Sequence, residues 1–132
     1  MQDEIVSDIE AFEATFQRLI EARDLRVACW AGSRTVLGYG TRAPSAEGER
    51  QVAWVAASGA ATLHSFCIYH RAYHADFPPP YNVALVALAE GPHLVSTVIA
   101  APVELRVGMA LTAAFEPSGR LVFHPRNAGA VQ

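Results

Sequence analysis

The stretch ATLHSFCIYHRAYH, residues 61–74, decides how this chain folds. It holds His64, Cys67, His70 and His74, a spacing of His-x2-Cys-x2-His-x3-His whose thiolate and imidazoles suit tetrahedral zinc. Were the segment helical, His70 and His74 would share a face. Its other residues favour a strand: Phe66, Ile68 and Tyr69 are strand formers, and TLHSF leaves a glycine-containing turn at Ser58-Gly59. On a regular strand, His64, Phe66, Ile68 and His70 face one way, and Ser65, Cys67 and Tyr69 the other. Cys67 then points away from the histidines that flank it. This reading disfavours both a metal cluster and a Cys/His nucleophile, and assigns Cys67 the role of a small buried side chain.

The same punctuation continues outward. VAWVA (52–56), NVALVALA (82–89), HLVSTVIA (93–100), MALTAAFE (109–116) and LVFH (121–124) are short apolar runs. Between them lie ADFPPP, Glu90-Gly91-Pro92, the 102–108 connection and Pro117-Ser118-Gly119. Five or six strands in so short a span, joined by Gly/Pro turns, point to a small closed or nearly closed β-barrel. Glu116-Pro117-Ser118-Gly119 matches a type I turn, which makes the last two strands a hairpin. No internal repeat interrupts the pattern.

Upstream the period changes. Ile5, Ile9, Phe12, Phe16, Leu19 and Ile20 fall at spacings of three and four, and Ser7 with Glu10 fits a capping box, so a helix is expected from residue 3 or 7 to about 23. From Gly32 to Arg50, five breakers (Gly32, Gly38, Gly40, Pro44 and Gly48) dissolve any period.

Composition narrows the class. With 132 residues, 52% hydrophobic and 17% charged, the chain has material for one packed domain with a small appendage. Seven of its 13 acids fall in the first 24 residues, and all ten basic residues are arginines scattered singly. Duplex binding through counterion release calls for a basic patch, which is missing. The N-terminus lacks a secretory pattern, so a reducing, cytoplasmic setting is expected, with Cys29 and Cys67 as free thiols. The longest apolar run, Val83–Ala89, is far short of the ~20 residues a spanning helix needs. There is no G-x-S-x-G elbow, no phosphate-cradling glycine loop and no acid pair outside the N-terminal segment, so catalysis is unsupported.

The run from LRVACWAG (25–32) through VGMALTAAFE (107–116) resembles the acyl-CoA-associated OB-fold family, known as domain of unknown function thirty-five. The similarity extends from about Phe16 to about Pro125. Ser58, Gly59, Thr62, Ser65, Phe66, His70, Arg71 and His74 match the family's barrel entry, and YNVALVAL follows. The resemblance implies a mainly β chain with an N-terminal α-helix (1–25), a zinc-ribbon-like lobe (26–51) and a five-stranded OB-fold barrel (52–132). Of the four cysteines that hold zinc in the family's ribbon, only Cys29 remains; Gly32, Ala43 and Ala46 stand at the other matching positions. One thiolate cannot hold a structural zinc, so the resemblance implies a degenerate ribbon with no zinc. Trp30, Val36, Leu37 and Tyr39 are available to pack it.

The resemblance further implies a non-catalytic accessory subunit that binds and stabilises a thiolase-like, hydratase or aldolase partner and contributes to acyl-CoA binding. Arg71 and Arg42 would meet coenzyme phosphates through forked donors. Tyr73, Phe77 and Tyr81 would supply stacking surface, while His70 and His74 would reach the partner's site. Two other classes stay open. One is single-stranded nucleic-acid binding, which OB-folds perform on aromatic platforms and which the net charge of −3 opposes. The other is a small stand-alone acyl-CoA enzyme using His70, His74 or Cys67. Whether the chain pairs with another copy is undecided by sequence.

Overall fold

A computed structural model describes residues 5–38, 48–70 and 81–126. Two compact units divide the chain at Ser58/Gly59; the first also takes in Glu90–Pro92, and the second resumes at His93.

In the first unit, strands β1 (Ile5–Asp8), β2 (Arg26–Trp30) and β3 (Gln51–Ala56) form an antiparallel sheet in the order β1-β3-β2. Helix α1 (Phe12–Glu21) puts Phe12 and Leu19 into the core with Ile9, Ala28, Trp30, Leu37, Val52 and Trp54. Trp54 is fully buried. Phe12 tilts against its indole at 4.9 Å between ring centres, and Phe16 stacks on it at 6.3 Å. Each such pair is worth roughly 0.5–1.5 kcal/mol beyond the area it buries.

The helix starts later than its periodicity predicts. Residues 5–8 are extended and pair with β3, with Ile5 opposite Trp54. A spacing of four between Ile5 and Ile9 fits a helix, but tertiary contacts outweigh it. The Ser7 hydroxyl accepts the Trp54 indole N–H at 3.1 Å and forms no capping box. Asp8 caps instead, accepting the Glu10 N–H at 2.9 Å over a 3₁₀ turn at Ile9–Ala11. Arg50 forks onto the same carboxylate at 2.9 and 3.1 Å. The backbone N–H, and then the guanidinium, hold the Asp8 pKa below its ordinary value. At the far end Arg23 takes a left-handed φ of 58°, and Asp24 N–H closes on Leu19 C=O at 2.9 Å.

Strand β3 was expected to open the barrel. Instead it is the middle strand of this first sheet, since Val52, Ala53 and Trp54 are all buried and both its edges are paired. The boundary expected at residues 51/52 thus falls at 58/59. Arg26 is buried along β2, where its guanidinium donates to Trp54 C=O at 3.1 Å and pairs with Asp24 at 2.9 Å.

After β2 the chain makes a tight hairpin, with Arg34 N–H on Trp30 C=O, Trp30 N–H on Thr35 C=O and Leu37 N–H on Ala28 C=O. Its turn is held by a carboxylate. Glu49 accepts the N–H groups of Gly32 and Ser33, the latter at 3.1 Å. Of the residues expected to pack this lobe, Trp30 and Leu37 are buried, whereas Val36 is 45% exposed and Tyr39 lies outside the described residues.

The second unit contains β4 (Ala60–Tyr69), β5 (Tyr81–Leu88), β6 (His93–Ser96), β7 (Ala110–Phe115) and β8 (Leu121–Pro125), in the order β6-β5-β4-β7-β8. All neighbours are antiparallel. The two edges then meet: beyond β6, Thr97 C=O accepts Phe123 N–H at 2.9 Å and Ile99 N–H donates to Phe123 C=O at 2.8 Å, a parallel bridge at Val98. This closes a five-stranded barrel around Leu63, Val86, Val98, Leu111, Val122 and Phe123, as expected for an OB-fold. The predicted hairpin is present, with Gly119 N–H on Glu116 C=O at 2.7 Å and Gly119 at φ 96°. Among the described residues no helix is long and apolar enough to cross a membrane.

Candidate functional site

Strand β4 carries the opening stretch, and a bulge changes its reading. Pairing with β5 runs Leu63↔Val86 and then Ser65↔Leu85, leaving His64 as the extra residue. One inserted residue inverts the alternation beyond it. Ala61 and Leu63 point inward before the bulge; Phe66 and Ile68 are the more covered side chains after it. His64 therefore does not share a face with Phe66 and Ile68, as plain alternation predicted. Cys67 is exposed, contrary to expectation, and the buried cysteine is Cys29. Among the described residues no three histidines, cysteines or acids stand together as a metal cluster.

The outward face of β4, β5 and β6 follows from these registers. Ser65, Leu85 and Val95 form one row, Cys67 and Val83 the next, and Tyr69 and Tyr81 the last. Val83, Val95 and Tyr69 are 38%, 65% and 37% exposed. None of the three strands contains an Asp, Glu, Arg or Lys. An exposed apolar row with no charge in it is uncommon on a surface that faces only water.

At the rim, Tyr69 and Tyr81 stack at 5.1 Å with their planes 7° apart. They frame the two ends of the 70–80 connection. His70 follows Tyr69 and is exposed. Of the residues singled out from sequence, His70 and Tyr81 are thus placed at this rim, while Arg42, Arg71, Tyr73, His74 and Phe77 lie outside the described residues.

Two groups escaped the sequence reading. Asn82, 5% exposed, accepts Val98 N–H at 2.9 Å through its side-chain oxygen and donates to Val98 C=O at 2.9 Å through its amide. It substitutes for a strand partner where the barrel closes, next to the rim. An asparagine opening an apolar run was the available signal, since a buried amide must find partners. His93, which no sequence motif marks, stands beside His64 with ring centres 4.6 Å apart.

Comparison with known proteins agrees with this architecture. Residues 54–116 match the family described as ChsH2, C-terminal OB-fold domain. The chain is also similar to a chain of a solved structure described as Ltp2-ChsH2(DUF35) aldolase. The identity is 28% and the TM-score 0.76, over 86% of this chain and 93% of that one. Curated proteins give no match. The match at residues 54–116 covers four of the five barrel strands, so sequence and structure both liken this part of the chain to the ChsH2-type C-terminal OB-fold.

Proposed function

We propose that this protein is a non-catalytic accessory subunit that binds and stabilises an aldolase-type partner acting on acyl-CoA. The carrying observation is the similarity to a chain of the Ltp2-ChsH2(DUF35) aldolase over nearly the full length of both. The uncharged outer face of β4–β6 supports the reading, because an apolar surface of this kind gains free energy when a partner covers it. Thiolase-like and hydratase partners are the other members of the same proposal. His70, Arg71, Tyr73, His74, Phe77, Tyr81 and Arg42 are proposed for contact with the partner or with acyl-CoA. Forked arginine donors suit the phosphates, and the stacked Tyr69–Tyr81 pair offers a flat surface.

Co-expression with an aldolase, thiolase or hydratase encoded beside this chain tests the proposal. The expected result is a co-eluting complex whose enzyme is more stable or more active than the enzyme alone. A chain that captures none of these enzymes overturns it. So does turnover of an acyl-CoA by the isolated chain that His70→Ala abolishes.

A further inference from the structure

We propose that His64 and His93 form a two-imidazole site on the outer face of the barrel that takes a divalent cation of tetragonal preference, Cu²⁺ above Ni²⁺. The two residues come from strands that do not pair. His64 is on β4 and His93 on β6, with β5 between them. Two features of the fold bring the rings together. His64 follows the inward Leu63 and so faces outward with Thr62, and the bulge there keeps Ser65 on the same outer side. Across β5, His93 lies opposite Ala87, which in turn lies opposite Thr62. A methyl group is all that stands between the two outer strands in that row, so the imidazoles can meet above it.

The separation suits chelation. With metal–nitrogen bonds of about 2.0–2.1 Å, each ring centre lies about 3.2 Å from the metal. Two such rings are then about 4.5 Å apart at a right angle and about 5.2 Å apart at a tetrahedral angle. The observed 4.6 Å lies close to the right-angled pair, a separation that two imidazoles sharing a square-planar or tetragonal ion can take. Both histidines are exposed, so water can complete the coordination. No arginine or lysine occurs on β4, β5 or β6 to repel a cation. The order of affinities for nitrogen ligands puts Cu²⁺ above Ni²⁺ and Zn²⁺. The site lies on the same outer face of β4–β6 that is proposed above for a partner, so it is tested on the chain alone.

The test is titration of the untagged, metal-free full chain with Cu²⁺, followed by visible absorption and electron paramagnetic resonance. The expected result is one strong site per chain with nitrogen hyperfine structure from imidazole. Affinity should fall roughly tenfold or more in His64→Gln and equally in His93→Gln, at least the scale of losing an outer-shell partner. His124→Gln, an exposed histidine on β8, should bind as wild type does. Both site residues are exposed, so the variants should keep the wild-type circular dichroism and melting. Absence of saturable Cu²⁺ binding overturns the proposal, as does binding that survives either His64→Gln or His93→Gln.

Discussion

Replacing Asn82 with alanine should open the barrel at its closure. The side-chain amide makes two bonds of 2.9 Å to the N–H and C=O of Val98, and Thr97 hydroxyl adds a bond of 3.3 Å to the Asn82 C=O. Val98 is 1% exposed, so water does not readily replace what alanine removes. A buried donor or acceptor left without a partner costs about 1–3 kcal/mol, and two are created. Allowing for partial relaxation, the loss should be about 3 kcal/mol, a melting shift of roughly 10 °C for a chain of this size. Urea unfolding with an unchanged slope, together with amide exchange at Val98, Ile99 and Phe123, is the assay. Asn82→Asp adds a directional control. The new carboxylate still accepts the Val98 N–H but repels the Val98 C=O, so burial and repulsion raise its pKa. That variant should be least stable near neutrality and recover as pH falls and the carboxyl gains a proton to donate. A loss below about 1 kcal/mol in Asn82→Ala, with the Val98 amide still protected, would refute the view that this side chain acts as a strand partner.

The other predictions are more local. Asp8, held below its ordinary pKa by the Glu10 N–H and by Arg50, stabilises the folded chain above the unfolded carboxylate pKa of about 3.9 and loses that contribution as pH falls through its lower folded value. Asp8→Asn should therefore flatten acid unfolding below about pH 4 and leave the neutral arm parallel to wild type. Gly32→Ala should cost about 1 kcal/mol, because an added Cβ comes within 2.6 Å of the Glu49 Oε1 and displaces the carboxylate from the turn. In a Glu49→Ala background the same change should cost less, a coupling that additive unfolding energies would disprove. Val83→Arg, on the exposed outer face, should alter stability by no more than about 0.5 kcal/mol and yet weaken capture of the partner enzyme tenfold, about 1.4 kcal/mol; wild-type binding would move the contact elsewhere.

Much of the barrel was legible because its signals are local. Glycine and proline turns, β-branched runs and the Glu116–Gly119 turn each act over a few residues, and their strands fall within one or two residues of expectation except β6, which ends at Ser96 and not at residue 100. The misreadings share a different cause. Ile5–Asp8 has helical spacing, but β3 supplies a ladder and Trp54 takes the Ser7 hydroxyl, and neither is encoded within four residues. Strand β3 carries the apolar run of a barrel strand, and nothing in that run says which sheet will claim it. The exposure of Cys67 turns on one extra residue at His64. A bulge has no sequence signature as sharp as an Asn-Gly turn, and once missed it reverses every later assignment of face.

The hairpin after β2 shows how a carboxylate distant in sequence can hold a turn. In the family this chain resembles, paired thiolates and a metal draw the ribbon's turns together. Here Gly32 and Ser33 present two N–H groups in the hairpin that follows Cys29, and they need an acceptor once no thiolate stands at that position. Glu49 supplies it from 16 and 17 residues away, through charge-assisted bonds. Glycine at position 32 is then doubly constrained, since the side chain a cysteine would place there occupies the space of the carboxylate. Cys29 is buried beside this turn, where its sulfur serves the packing around β2.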